Sequence, residues 1–421
     1  MLRLIIIGLL ILCGWCPATI NGGPIDYFDI TRPKFKPLPV EVRMNPANHL
    51  KGLFVQSVFQ SNLEQTLFFQ VFEENPITEG INNTQDSPAF RLEMQILEEK
   101  PLKFRFTLFG RELESPMASG ELKEDEKADL RQLGLKMANT FIKNSLGFKG
   151  IAESQIAYTS QKKNSRKNIM LSSYDGIRQK RFSYNLGSNN HASWSFDNEN
   201  ILYTTFTRSN VQIAIQPSRR LRASILSFPE GTQPQGGTWS ASGNSILITL
   251  MTKGNSDIYS YQLKNRKLKR ILAWKSLETS PSWSKNNSSI VFVSDSIRFQ
   301  QPQVYIHDTK LNKTKRITFR GKYNSSPRWS PNGDQIIYEG KRKGYFQIFK
   351  YTLSTNRHLQ LTFGRYNSEK PDWSPNGKQI IFSSNRDGLS KLFLTSVHGG
   401  RMIRLTTNPI SVVETNPVWS K

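Results

Sequence analysis

A tryptophan followed by serine recurs at Trp194, Trp239, Trp283, Trp329, Trp373 and Trp419, at intervals of 45, 44, 46, 44 and 46 residues. Nothing else in the chain restricts its fold as tightly, because a period of about 40–50 residues belongs to propellers and solenoids. One repeat, residues 371–406, shows which. "PDWS" reads as a short strand, and "PNG" as a turn whose Gly377 can take a positive φ. "KQIIFSS" is a second strand, "NRDG" turns the chain, and "SKLFLTSV" alternates Leu392 and Leu394 with Lys391 and Thr395. "HGG" and "RMIRLTT" complete the unit. Other copies follow the same plan, as in "SSIVFVSD", "PQVYIHDT" and "KRITF" after Trp283. Four short strands per unit, repeated radially, predict the blades of an all-β propeller.

Trp194, Trp239, Trp283, Trp329 and Trp373 each open a full unit, whereas Trp419 is followed by only two residues. Residues 151–185 have the complementary defect: "QIAYTS", "KNIMLSSY" and "RQKRFSYN" have no Trp-Ser strand before them. The expected solution is a six-bladed ring in which the C-terminal "NPVWSK" pairs with "QIAYTS" and closes the sixth blade, leaving no free blade to peel away. The six tryptophans, at one structural position, are expected to pack between blades.

The propeller is expected over residues 150–421, and an α/β domain over 43–149. Val55, Phe59 and Leu63 recur four apart, as on one face of a helix. "AFRLEMQIL" and "KFRFTLF" alternate as half-buried strands. Residues 124–147 are expected to form a second helix. Glu124, Asp125 and Glu126 mark its start, Lys143 and Gly147 its end, and Leu130, Leu133, Met137 and Phe141 its buried stripe. Residues 24–42 carry several prolines and are expected to be an extended tail, able to add to a partner's sheet or to become the first strand of the domain's own.

Residues 1–23 read as a cleavable secretory signal: Arg3 precedes an apolar run over residues 4–13, and small residues follow Pro17. Both cysteines, Cys13 and Cys16, lie within it, so the mature chain has neither disulfide nor thiolate chemistry. That pattern suits a bacterial periplasm, and no later stretch is apolar enough to span a membrane. Charge divides the mature chain. Residues 24–149 hold 16 Lys+Arg against 18 Asp+Glu, and residues 150–421 hold 40 against 15. The propeller is therefore strongly basic, which bears on partners rather than on fold.

These parts, in this order, resemble the TolB family, the periplasmic component of the Tol–Pal system. The likeness rests on a leader, the extended "DITRPKFKPLPV", a domain ending "ANTFIKNSLGFKGIAESQIAYTS", and blades of the form "WSPNG…IIFSSNRDG" closed by "PVWS". It covers the whole mature chain. The resemblance implies a non-enzymatic periplasmic adaptor without cofactor or metal. It implies binding of the peptidoglycan-associated lipoprotein Pal by the propeller and of TolA by the tail, with OmpA-like or other outer-membrane proteins as further partners. The role implied is envelope integrity and constriction at division. "KMANTFIKNSLGFK" (residues 136–149) and "TQPQGG" (232–237) depart from the family's pattern, while "LETSPSW" (277–283) is nearer to it.

On that reading the tail contributes Asp26, Asp29, Thr31, Pro33 and Pro37 to partner binding. The propeller contributes Gln235, Gly236, Thr279, Tyr323, Asn324, Asn367, Arg386 and Glu414. These propeller residues lie in loops before the Trp strands or between second and third strands, which emerge on one face. The second set is basic, including Lys162, Lys163, Arg166, Lys167, Arg208, Lys253, Arg298, Lys341, Arg342 and Lys343.

Other functions have weaker support. A propeller hydrolase needs a G-x-S-x-G elbow, which the chain lacks. His49, His191, His307, His358 and His398 are scattered, unlike a metal cluster. Nucleic acid would demand interleaved aromatic and basic residues that are not evident. Recognition of peptidoglycan or other envelope glycans is the alternative that the basic, aromatic-bearing propeller keeps open.

Overall fold

The computed structural model describes residues 36–73, 88–111, 113–124, 129–185 and 187–421. The expected signal, most of the expected tail and its candidates Asp26, Asp29, Thr31 and Pro33 lie outside the described residues.

The N-terminal unit is a five-stranded sheet, β1 (Leu38–Asn45), β2 (Phe69–Glu73), β3 (Phe90–Glu99), β4 (Leu102–Gly110) and β5 (Ala118–Lys123), in the order β2-β1-β3-β4-β5. Two helices, α1 (Leu50–Gln65) and α2 (Leu130–Leu146), pack with it. β1 pairs in parallel with β2 and β3 and is interior. The expected tail therefore gives way at Leu38 to a strand of the domain's own sheet. Burial of Leu38, Val40 and Val42 on alternate positions is the reason. Pro39 is tolerated because pairing with β3 begins only at Val40. Pro37 lies just before the strand, partly buried.

α1 buries Val55, Phe59 and Leu63 completely, as their spacing predicts. Phe141 of α2 meets the rings of Phe59, Phe69 and Phe90 edge-on at 5.5, 5.2 and 5.8 Å, locking both helices to the sheet. The second helix starts later than its acidic run suggested. Its N-cap is Asp129, whose carboxylate accepts the Gln132 N–H at 3.1 Å, and Glu124 instead extends the sheet. The Glu124 N–H donates to the Leu102 carbonyl at 2.7 Å, and its carboxylate accepts the Leu102 N–H at 3.0 Å. Pairing with β4 satisfies backbone groups that a helix start would leave open. Residues 125–128 lie outside the described residues. The C-terminal end is as expected: Gly147 adopts φ 72° and caps the helix through Lys143 O.

The rest is a ring of six four-stranded sheets. Five are built from consecutive strands, and the sixth combines Val412–Trp419 with Gln155–Lys162, Asn168–Ser173 and Gln179–Arg181. The closing strand runs antiparallel to Gln155–Lys162, with Trp419 opposite Ile156. Trp194, Trp373 and Trp419 are buried; Trp239, Trp283 and Trp329 are only partly so. The indole N–H of Trp239 donates to Ser193 O, and that of Trp373 to Arg328 O, both at 3.1 Å, so each ties its blade to the preceding one.

Candidate partner-binding face and channel

Antiparallel pairing fixes what lies on each face. Gln233 at the start of one first strand sits opposite Met251 at the end of the next. Loops before the first strand thus share a face with hairpins between the second and third. The N-terminal domain sits on the opposite face. Gln65 O accepts from the Gln379 amide at 2.8 Å, Lys149 O from the Asn376 amide at 3.0 Å, and Arg178 pairs with Asp129. The loop face is therefore uncovered among the described residues.

Of the sequence-predicted residues, Gln235 and Thr279 line a cavity of about 240 Å³ at the centre of this face. Gly236 stands beside it on the same strand, its N–H donated to the Thr204 hydroxyl at 3.0 Å. Tyr323 and Arg386 are exposed on the surrounding loops. The Arg386 guanidinium stacks over Tyr366 at 5.5 Å. Asn367 is half-buried and its side-chain oxygen accepts the Phe346 N–H.

Two of the expected contact residues are structural instead. Asn324 and Glu414 are both fully buried. The Asn324 amide donates to Gln303 at 2.8 Å and to Arg320 O at 3.1 Å, on the preceding blade. Glu414 accepts from the Thr406 hydroxyl and from the Asn408 amide at 2.5 Å, and lies 3.8 Å from the buried Lys391 ammonium. A carboxylate in such a position needs its partners to offset the loss of water. Both residues latch neighbouring blades and cannot reach a ligand. Asn189, Glu278 and Ser368, also fully buried, occupy the corresponding position in other blades. That recurrence was the signal in the sequence.

The cavity has a second signature that sequence reasoning missed. Each blade bends its first strand at a bulge carrying a left-handed residue: His191, Gly236, Ser280, Ser326, Lys370 and Asn416, with φ between 51° and 66°. Five of the six are not glycine, so the ring stores backbone strain, and such outliers gather at ligand sites. In four blades proline follows the bulged residue, the trace visible in "SPSW", "SPRW", "KPDW" and "NPVW".

The bulges set the electrostatics. Lys370 donates its ammonium to the Ser326 hydroxyl at 2.8 Å and to Glu339 at 3.3 Å, and its backbone N–H to Glu339 at 2.6 Å. Burial opposes ionisation of Glu339, but Lys370 and the hydroxyls of Ser325 and Ser326 outweigh it and hold the carboxyl below its ordinary range. His191 is the opposite case. Its Nδ1 is covered and finds no partner among the described residues. Burial, reinforced by the charges of Lys370, Arg328 and Lys167, pulls its pKa down to about 4. The folded ring stays neutral above that pH, whereas in the unfolded chain it takes a proton near pH ~6.5. Between those values the unfolded state binds the extra proton, so this contribution to stability falls as pH drops from about 6.5 towards 4 and then levels off. His191→Gln should abolish that part of the slope. Urea midpoints of both proteins from pH 7 to 4 test this, and parallel curves would refute it.

On the far side of the channel a second cavity, about 490 Å³, is ringed by the six repeat tryptophans. Among the described residues no group of three His, Cys, Asp or Glu side chains could hold a metal, and no helix is long and apolar enough to cross a membrane.

Comparison with known proteins places these features in a family. The family model of the TolB beta propeller domain matches residues 143–421. Among curated proteins, the Tol-Pal system protein TolB of Ruthia magnifica subsp. Calyptogena magnifica is 28% identical over 232 residues, 52% of this chain and 54% of that one. The Tol-Pal system protein TolB of Dinoroseobacter shibae is 27% identical over 290 residues, 64% of this chain and 65% of that one. The chain thus matches between half and two thirds of the length of these relatives. The crystal structure of TolB from Acinetobacter baumannii superposes with a TM-score of 0.78, covering 91% of this chain and 96% of that one at 19% identity. A nidogen/laminin complex reaches a TM-score of 0.52 at 7% identity, covering 64% of this chain and 98% of that one, a likeness of fold alone.

Proposed function

Because the chain belongs to the TolB β-propeller family, we infer that it is a non-enzymatic periplasmic adaptor of a Tol–Pal envelope complex. The observation that carries this reading is the free loop face: a channel mouth framed by six bulges, with exposed Tyr323 and Arg386 around it and the α/β domain kept to the other side. A protein partner fits such a face, since a rigid concave centre with an aromatic and cationic rim is what interface anchors use. The proposed partner there is the peptidoglycan-associated lipoprotein. TolA is proposed to engage the segment before β1, and the complex to support outer-membrane integrity and constriction at division. The basic loops favour rapid encounter with an acidic partner, by roughly 10–10³-fold at low salt.

The test is capture from envelope extract on the mature chain, followed by binding kinetics. Recovery of an OmpA-like, peptidoglycan-associated lipoprotein at both low and moderate salt is expected. Arg386→Glu should weaken its capture at least about 10-fold, as expected for one desolvated charged anchor, whereas Lys310→Glu, on the opposite face, should leave it unchanged. Recovery only of cell-wall fragments, lost as salt rises, would replace this reading with glycan binding.

A further inference from the structure

One cation in the channel has no role in the fold. At the position before the tryptophan, the other five blades carry Ser193, Thr238, Ser282, Asp372 and Val418; the fourth carries Arg328. The residue lines both the loop-face cavity and the tryptophan-ringed cavity, so it lies between them. Among the described residues the guanidinium makes no hydrogen bond, ion pair or ring contact. Arg328 is half-buried, and an arginine presents five donors, so the guanidinium is charged and free to take an acceptor that enters the channel.

The surroundings point to what it awaits. No carboxylate lines the loop-face cavity. Glu339, just behind it, is already taken by Lys370, Ser325 and Ser326. Asp372 borders the other cavity and uses one oxygen to accept the Trp419 N–H at 2.8 Å. Lys370 adds a second cation, and Thr249, Thr279 and Ser280 supply hydroxyls that have no partner among the described residues. His191 brings a covered, unpartnered ring nitrogen. The charged side chains that line the cavity are all cationic, and about 240 Å³ holds a small polyatomic ion.

We propose that the channel waist is a binding site for an oxyanion, a carboxylate, sulfate or phosphate group, gripped by Arg328 and assisted by Lys370 and the ring of hydroxyls. Planar guanidinium donors match such groups with two parallel hydrogen bonds. The oxyanion has two possible sources, a free solute or an acidic side chain inserted by a protein docked on the loop face. The free-solute form stands without any partner; the inserted form rests on the adaptor reading above.

The tryptophan ring beside Arg328 provides the readout. Iodide is an anionic quencher, so its access to the waist reports on anion binding through Trp fluorescence. In the mature chain at constant ionic strength, iodide quenching should contain a saturable component. Sulfate should compete it away, and Arg328→Gln should remove it. Arg328→Lys should retain it in part. Quenching by neutral acrylamide should be the same in all three proteins, which verifies that the variants are folded. If the saturable component is absent but Arg328→Gln weakens lipoprotein capture about 10-fold or more, the oxyanion is the partner's carboxylate. A saturable component equal in Arg328→Gln, or no anion component together with undiminished capture, would overturn the proposal. Absence of any lipoprotein capture by the unsubstituted chain would instead count against the adaptor reading and leave the fluorescence arm standing.

Discussion

A chain stopped after Ser411 should lose the cooperative unfolding of the propeller, not merely one strand of it. The removed strand Val412–Trp419 supplies Trp419, 1% exposed, which stacks on Tyr174 with centroids 5.8 Å apart and donates its indole N–H to Ser154 at 2.8 Å. Losing a buried tryptophan alone costs about 3–5 kcal/mol. The same cut takes away Glu414 and the Val412 carbonyl. Lys391, itself 1% exposed, would then keep only the carbonyls of Asn408 and Pro409 in a buried setting. Stripping one member from a buried ion pair costs about 3–5 kcal/mol more. Together these losses rival the whole stability of an ordinary domain, about 5–15 kcal/mol. They also free the edge of Gln155–Lys162 for pairing with other chains. Thermal melts followed by Trp fluorescence should show no sharp transition, with aggregation instead. A synthetic peptide of residues 410–421, added in excess, should restore the transition. An unchanged melt of the truncated chain would mean that the closing strand is dispensable.

The closure was legible because the strand code is local. Alternation in "SKLFLTSV", a turn glycine in "PNG" and an orphan "NPVWSK" suffice to place the blades and to match their split copy. The helices of the α/β domain were legible for the same reason, through Val55, Phe59 and Leu63. What escaped depends on distant partners. β5, "ASGELK", alternates between exposed and half-exposed residues and carries no hydrophobic period, so only its neighbour β4 makes it a strand. Glu124 looked like a helix opener and became a sheet residue because Leu102 met both its backbone and its carboxylate.

The candidate site was legible in outline and misread in detail. Loops could be assigned to one face from the blade plan alone. Whether a loop residue points outward or into the neighbouring blade depends on the closed ring, and there Asn324 and Glu414 turn inward as latches. Arg328 does not stand out in the sequence because the letter before the tryptophan varies from copy to copy: Ser in "SPSW", Arg in "SPRW", Asp in "KPDW" and Val in "NPVW". Only the closed ring brings that residue to the lining of both channel cavities.

Arg131→Met should loosen the α/β domain from the propeller and destabilise the folded chain by about 3–5 kcal/mol. Arg131 of α2 reaches across the joint to Asp175, which lies between the third and fourth strands of the sixth blade, and the two side chains are 5% and 1% exposed. Burial disfavours the Asp175 charge. The hydrogen bond from Ser173 at 2.6 Å, the Arg131 guanidinium and the Ile177 N–H together outweigh that penalty and hold the carboxyl below its ordinary range. Methionine would fill the space and leave the carboxylate buried with its main counter-charge gone. The described contacts that seat the domain are otherwise mainly polar, among them Asp129 with Arg178, the Asn62 amide with Asp175, the Gln65 carbonyl with Gln379, the Lys149 carbonyl with Asn376, and the Lys378 ammonium over the Phe148 ring. The loss therefore falls on docking rather than on either core, and unfolding should split into two transitions where the parent is expected to show one. The pH dependence has a definite sign. In the parent, the Asp175 contribution is fully present above the unfolded carboxylate pKa of about 3.9 and is lost as pH falls through the lower folded value. In Arg131→Met the folded pKa rises, so docking should weaken at a higher pH than in the parent. Scattering measurements of the radius of gyration between pH 7 and 4 would follow the separation directly. Adding Asp175→Asn to Arg131→Met should recover part of the loss, because the stranded charge is then removed. An Arg131→Met protein that melts in one transition at the parent's midpoint would show that the pair does not hold the two domains together.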